Sequence, residues 1–420
     1  MHDSKEINID YKRKLIYLTS LFFMWGFITS LNDILIPYFK NAFDLSYTQA
    51  MLTQFCFFGA YFVVSIPAGK LVGRIGFKNG IVTGLVIAGL GCFLFYPSAL
   101  QASYSLFLFS LFILASGVTL LQVAANPLVN LLGPQKSAPA RLVSTQAFNS
   151  LGTTLAPMFG AYLLFSGSAS DLGLDSVKIP YLSLSGALFL MAALFVKISL
   201  PTPKLETSKS EPLKLKTPTS ASAQPPKLTS EHRHLWLGAI GIFVYVGAEV
   251  SIGSFLVSFM HDPNIAGLNE AQAAKYVAYY WGGAMVGRFV GAVIMKKVQA
   301  AHLLSFNAAS AIVLLVLAIF SSGSLAMWSL LLIGLFNSIM FPTIFSLSLN
   351  GLGKCTSQGS GILCLAIVGG AIVPLLQGIF ADNIGLQPAF VIPIFCYLFI
   401  VYYGLKGHRP KAHTAHLEVH

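Results

Sequence analysis

The chain has 420 residues, of which 55% are hydrophobic and 10% charged, with a formal net charge of +11. A soluble domain carries about 25% charged residues, and a chain with this little polar surface and a mean hydropathy of +0.73 cannot cover its apolar side chains with groups that water accepts. Soluble globules are excluded in favour of a polytopic membrane protein, and the basic excess must first be tested against membrane topology.

A helix that crosses the hydrocarbon core needs roughly 20 mostly apolar residues, because only a helix pairs its own backbone polar groups there. Twelve stretches meet that need: 14–39, 50–72, 79–97, 104–131, 142–166, 180–200, 235–260, 274–295, 303–321, 325–350, 359–380 and 387–406. The first is too long for a cleavable signal peptide, and no small-residue cleavage site follows it. The longest break, residues 201–234, is rich in Pro, Ser, Thr and Lys and reads as a solvated linker. The predicted organisation is an all-α membrane protein with a six-span bundle over 1–200, a cytoplasmic linker over 201–234, a second six-span bundle over 235–406 and a cytoplasmic tail over 407–420.

Lys and Arg are retained on the cytoplasmic side of a bilayer. With the N-terminus inside, 22 of the 26 Lys and Arg fall on that side; Lys40, Lys178 and Lys275 lie outside and Arg288 lies within a span. Both termini are therefore expected in the cytoplasm of a multi-pass plasma-membrane protein. Anionic lipid headgroups are the partner of the basic loops, and nucleic acid is not needed to explain the charge.

The two halves echo one another. Gly26 of the first span aligns with Gly247 of the seventh, Asn126-Pro127 of the fourth with Phe341-Pro342 of the tenth, and Gly152-x4-Pro157 of the fifth with Gly369-x4-Pro374 of the eleventh, at offsets of 221, 215 and 217. Nearly equal offsets in equivalent spans predict two pseudo-symmetric bundles, an architecture that lets a site at the repeat interface open to either side in turn. A membrane proline is often a tolerated kink, but its recurrence in both halves favours bends that shape a central cavity.

Of fifteen acids, only Asp33 and Glu249 lie well inside spans. A carboxylate at membrane depth costs at least ~2.5 kcal/mol, so it needs a partner, a proton or a water-filled cavity. Each is read either as a structural pair or as a coupling group that cycles a proton or ligates Na+. The alignment puts Glu249 level with Ile28 and Asp33 a turn or more towards the outer side.

Gln122 and Asn126 share one face of the fourth span, and Gln146 and Asn149 one face of the fifth. Amides both donate and accept, which suits a neutral polyol better than an anion; the alternative is hydrogen bonding between helices. Asn337 stands opposite Gln122 in the repeat, while Leu363 and Ala366 stand opposite Gln146 and Asn149, so an amide-rich half faces an apolar one. Tyr279, Tyr280, Trp281, Tyr245 and Trp25 are aromatics that could stack on a sugar ring, or serve as packing and belt residues. Arg288 either snorkels to the headgroups or helps a cytoplasmic gate close, and Arg74, in the glycine-rich loop 69–80, is a second gate candidate.

All nine His lie in loops, tails or at a helix edge, which excludes an intramembrane His relay and an HExxH protease. No GxxxxGK[ST] phosphate loop is present, so ATP is not the direct energy source, and the five Cys indicate neither a disulfide nor a metal site. No enzyme, metal or cofactor is expected beyond a coupling H+ or Na+.

The segments FFMWGFITSLNDILIPYF (22–39), LQVAANPLVNLLG (121–133), RLVSTQAFNSLGTTLAP (141–157), YVGAEVSIGSFL (245–256), YYWGGAMVGRFVG (279–291), FPTIFSLSL (341–349) and SQGSGILCLAIVGGAIVPLLQG (357–378) resemble the fucose/galactose/glucose symporters of the major facilitator superfamily. The resemblance spans both halves, and it implies twelve helices in two bundles working by alternating access. It places the family's coupling aspartate on Asp33 and its sugar-contacting amides on Gln146 and Asn149. Fucose symporters carry a second carboxylate just before the AANP segment, where this chain has Gln122. The LLQVAANP form with Glu249 looks more like the glucose/galactose branch, with the second carboxylate supplied by the other bundle.

These readings converge on a secondary symporter, functional as a monomer in a bacterial inner membrane, that imports a neutral hexose (glucose, galactose or fucose) with H+ or Na+. Asp33 and Glu249 are the cation-coupling candidates; Gln122, Asn126, Gln146, Asn149, Asn337 and Tyr280 the substrate candidates; Arg74 and Arg288 the gate candidates. The alternatives are another neutral solute such as an amino sugar, a non-transporting sugar sensor, or a drug/proton antiporter.

Overall fold

The computed structural model describes residues 13–30, 43–44, 47–165, 177–198, 200, 228 and 232–410. Asp33, most of the 201–234 linker and the tail from 411 lie outside the described residues. The rest is almost entirely helical: α1 (13–30), α2 (Tyr47–Leu100), α3 (Tyr104–Leu131), α4 (Ala138–Phe165), α5 (Lys178–Lys197), α6 (Arg233–His261), α7 (Glu270–Ile294), α8 (Ala300–Phe320), α9 (Gly323–Asn337), α10 (Met340–Ser348), α11 (Thr356–Leu365), α12 (Gly369–Ile384), α13 (Leu386–Ala389) and α14 (Val391–Tyr402).

Nine stretches among the described residues are long and apolar enough to cross a membrane. One of them, Phe55–Leu100, takes in both the second and the third predicted span, which meet at Gly76. That residue has φ 84° and ψ 163°, a conformation only glycine adopts without strain, so the chain reverses there between two helical arms. The tenth predicted span is α9 plus α10, broken at 338–339, and the eleventh is α11 plus α12, joined by a tighter turn at Ala366–Val368.

The loops sort to two faces. On one, Lys78 Nζ donates to the carbonyl of Val196 at 2.8 Å, Gln135 Nε2 to Asn350 Oδ1 at 3.4 Å, and His234 bonds the carbonyl of Asn350 at 2.8 Å. On the other, the Gly323 amide donates to the carbonyl of Asn264 at 2.9 Å and Gln387 Nε2 to the carbonyls of Ala318 and Ser321 at 2.8 Å. The first face also holds the described ends near residues 13, 232 and 410, and is called the terminal face below.

The repeat inferred from the sequence is present in the packing. A side chain on Gly26 would run into the backbone carbonyl of Asn149, and one on Gly152 into that of Phe23, so α1 and α4 touch backbone to backbone. In the second half a side chain on Gly369 would strike the carbonyl of Phe243, and one on Gly247 the side chain of Val373. The aligned glycine pairs thus make equivalent close helix crossings, which is what small residues permit in a membrane where hydrophobicity alone does not drive association.

The aligned prolines are also used. A proline lacks the N–H that would bond the carbonyl four residues earlier, so Pro127 frees Val123, Pro157 frees Thr153 and Pro342 frees Ser338. Each of those carbonyls accepts from a side chain of another helix: Val123 from Ser360 Oγ at 2.9 Å, Thr153 from Ser30 Oγ at 3.0 Å, and Ser338 from Arg288 Nε at 3.0 Å. In hydrocarbon such a carbonyl must find an internal donor, and the first of these bonds crosses from one half to the other.

Contacts between the halves gather towards the terminal face. Gly69 and Gly73 of α2 lie against Ser357 and Gly361 of α11, and Ser360 bonds α3. In the related position α4 meets α7, where Phe148 and Phe289 cross edge to face at 5.7 Å and Thr154 Oγ1 reaches Met285 Sδ at 3.7 Å. The helix pairs α2 with α11 and α4 with α7 are exchanged by the repeat, as a pseudo-two-fold axis between the halves requires.

Candidate functional site

Glu249 lies in the middle of α6, sixteen residues after Arg233. It is partly exposed, and its Oε1 accepts from the hydroxyl of Tyr245, one turn earlier, at 2.7 Å. The same hydroxyl lies 3.1 Å from the carbonyl of Asn337 at the end of α9. Tyr280 of α7 donates to the backbone carbonyl of Glu249 at 3.2 Å and accepts from Asn337 Nδ2 at 2.8 Å. Tyr397 of α14 donates to Asn337 Oδ1 at 2.6 Å. Asn337, Tyr245, Tyr280 and Tyr397 are each 0% exposed, whereas Glu249 is only partly buried as a residue.

Arg288 of α7 turns into the protein. Besides the Ser338 carbonyl it donates to Ser150 Oγ and, at 3.5 Å, to the carbonyl of Gln146, so one guanidinium ties the second half to α4 in the first. Its charge acts on Glu249 through space. Of the two readings of Arg288 from sequence, the headgroup-seeking one does not describe this geometry. A planar guanidinium with five donors serves several carbonyls at once, where an ammonium would not.

The amides of the first half form a second polar strip. Gln122 Nε2 donates to the hydroxyl of Tyr61 on α2, and Gln146 Nε2 to Asn126 Oδ1 at 3.5 Å. Gln122, Asn126 and Gln146 are 6%, 0% and 5% exposed, and neither Gln122 Oε1 nor Asn126 Nδ2 has a hydrogen-bond partner among the described residues. Asn149, expected to share a face with Gln146, instead turns to α1 and donates to the carbonyl of Phe22 at 3.0 Å, beside the Gly26–Gly152 crossing. The i, i+3 spacing leaves about 60° between two side chains, enough for one to face α3 and the other α1.

Arg74 is exposed two residues before Gly76 and is not part of either cluster. Tyr279 and Trp281 are 59% and 44% exposed; Tyr279 packs edge-on against Trp328 at 5.5 Å, as a belt residue does. Trp25 is 6% exposed and packs on Phe22.

Sequence reasoning missed Tyr61, Tyr397, Ser150 and Ser360. One signal was available: Tyr61 and Tyr280 are 219 apart, inside the range of the repeat offsets. Chemically, the site pairs one carboxylate that can take or release a proton with buried amides that can receive hydroxyl groups.

The chain matches the model of the Major Facilitator Superfamily over residues 18–366. It is 57% identical over 412 residues, 97% of each chain, to a protein of Brucella abortus biovar 1 (strain 9-941) named glucose/galactose transporter. It is 35% identical over 403 residues, 91% of this chain and 90% of the other, to the L-fucose-proton symporter of Escherichia coli (strain K12). Among solved structures, a major facilitator transporter called FucP, in the outward conformation, superposes with a TM-score of 0.84 at 33% identity, covering 94% of this chain and 99% of that one.

Proposed function

The chain belongs to the major facilitator superfamily, and from that premise we propose that it imports a neutral hexose, glucose or galactose, by symport with H+ or Na+. The observation that carries this reading is Glu249: a carboxylate at membrane depth, on a partly buried residue, held by a phenol in place of an ion pair. Membrane carboxylates held this way are suited to cycle a proton. The names of the Brucella and Escherichia relatives point to hexoses and to proton coupling.

In the proposed cycle Asp33 and Glu249 take the coupling cation. Gln122, Asn126, Gln146 and Asn149 receive sugar hydroxyls, and Arg288 with the Ser360–Val123 bond keeps the terminal side shut. Asn337 and Tyr280 act behind Glu249, because they are already hydrogen-bonded to each other, to Tyr397 and to the Glu249 backbone carbonyl. The terminal face is the cytoplasmic one, the membrane is a bacterial inner membrane, and the monomer is the working unit. Apart from the coupling ion the protein uses no cofactor, and it carries out no chemical conversion. Symport requires that sugar and cation favour the same loaded states, so that half-loaded forms do not cross.

The test is uptake of labelled glucose and galactose into proteoliposomes under an imposed pH gradient or an imposed Na+ gradient, at equal membrane potential. Accumulation driven by one gradient, lost in Asp33→Asn, is the expected result. Failure with both sugars under both gradients removes hexose symport, and wild-type accumulation in Asp33→Asn removes Asp33 as a coupling site.

A further inference from the structure

The cluster around Glu249 has more acceptors than its central hydroxyl has protons. Tyr245 Oη sits 2.7 Å from Glu249 Oε1 and 3.1 Å from the Asn337 carbonyl, and a phenol donates one hydrogen bond. An ionised carboxylate only accepts, and charge-assisted bonds are the stronger ones, so with Glu249 ionised the proton of Tyr245 points at Oε1. Once Glu249 is protonated, its own O–H donates to Tyr245 Oη, and the Tyr245 proton turns to the Asn337 carbonyl. No heavy atom needs to move. The bond between α6 and the end of α9 therefore exists in one protonation state of Glu249 and is absent in the other.

Its far end matters because of where Asn337 lies. It is the last residue of α9, directly before the 338–339 break that separates α9 from α10. The next carbonyl, Ser338, is the one freed by Pro342, and it is held by Arg288, which also reaches Ser150 and Gln146 of the first half. We propose that the Tyr245 hydroxyl is a one-proton switch that carries the protonation state of Glu249 to the break between α9 and α10, and through Ser338 and Arg288 to the contact between the two halves. This inference rests on Glu249 being a coupling carboxylate, as proposed above.

The groups facing Glu249 limit what else could respond to pH. They are Tyr245 on its own helix, Tyr280 and Arg288 on α7, and Tyr397 on α14, with neutral Asn337 on α9. Tyr280 and Tyr397 already give their single protons to the Glu249 backbone carbonyl and to Asn337 Oδ1. Neither position has a second acceptor of the kind Tyr245 has.

Two readouts separate the switch from the coupling role. The first is pH-driven accumulation of labelled glucose and galactose, compared with counterflow, which needs no net proton movement. The second needs no sugar: the rate at which a short bifunctional thiol reagent joins Gln135→Cys to Asn350→Cys across the terminal face, followed against pH. That rate is divided at each pH by the rate at which a monofunctional form of the reagent labels the same two cysteines, because the thiolate fraction itself rises with pH. The protein with no change at Glu249 or Tyr245 is expected to show a normalised cross-linking rate that depends on pH, flat in Glu249→Gln. Tyr245→Phe should lose about tenfold or more of pH-driven accumulation relative to its own counterflow rate, and show a normalised cross-linking rate that does not change with pH. A wild-type pH response in Tyr245→Phe, with a flat one in Glu249→Gln, overturns the switch and leaves the coupling role standing. A wild-type response in Glu249→Gln overturns both. Should Tyr245→Phe not fold, the pH-difference infrared spectrum of protein carrying ring-deuterated tyrosine replaces it. A tyrosine C–O band present in wild type and missing from Glu249→Gln is expected, and its absence from wild type overturns the proposal.

Discussion

In the first half Gln122 on α3 donates to Tyr61 on α2; in the second half Asn337 on α9 donates to Tyr280 on α7. The pairs are related by the repeat, an amide from the fourth span of each half meeting a phenol from the second. In the first half the pair stops there, and Gln122 Oε1 has no partner among the described residues. In the second, the amide oxygen takes Tyr397, the phenol reaches the backbone of Glu249, and the backbone of Asn337 lies beside Tyr245. One duplicated contact has become a place with spare hydrogen-bonding capacity in one half and a saturated support for a carboxylate in the other. Spare capacity suits a ligand that comes and goes, while saturation holds a titrating group in one geometry.

The comparison is broken most severely at the glycine crossings. Gly152→Leu and Gly369→Leu each drive a side chain into backbone of a neighbouring helix, and folded protein recovered by size-exclusion in detergent should fall to near nothing for both. The halves then differ in a milder form of the test. Gly247→Ala meets the side chain of Val373, whereas Gly369→Ala meets the carbonyl of Phe243. Val373→Ala removes the nearer of two clashing atoms and should therefore recover part of the thermal stability of Gly247→Ala, and leave that of Gly369→Ala unimproved; rescue of both would show that the crossing is not set by backbone contact.

Asn337→Ala sharpens the comparison at the amides. It strands Tyr397 and removes the donor to Tyr280, where Gln122→Ala strands Tyr61 alone. At roughly 1–3 kcal/mol per stranded buried group, the loss of melting temperature should be about twice as large for Asn337→Ala. Equal losses would mean that the second cluster is not the tighter one. The smallest effect is expected at Ser360→Ala. It removes one hydrogen bond between the halves, worth about 0.5–1.5 kcal/mol, and should slow cross-linking of Gln135→Cys to Asn350→Cys while leaving the melting temperature within a few degrees.

Much of this was legible beforehand for identifiable reasons. The membrane helices followed from apolar length, because hydrocarbon leaves the backbone no alternative. The repeat followed from Gly26, Pro127 and Gly152 and their partners, because close crossings and kinks tolerate few residue types. Glu249 stood out because a carboxylate inside a span is costly and therefore rare. The break at 338–339 was less visible, since α9 and α10 together read as one apolar span in which only Asn337-Ser338 and Pro342 hint at it.

Sequence alone determined that this is a duplicated helical membrane protein with a carboxylate and a strip of amides at membrane depth, since those follow from residue type and spacing within one chain segment. Which donor answers each carbonyl freed by a proline was decided by the tertiary structure. So were the inward turn of Arg288, the departure of Asn149 towards α1 and the recruitment of Tyr61 and Tyr397. Hydrogen bonds between helices depend on rotation and depth to within about an ångström, and no single helix carries that information.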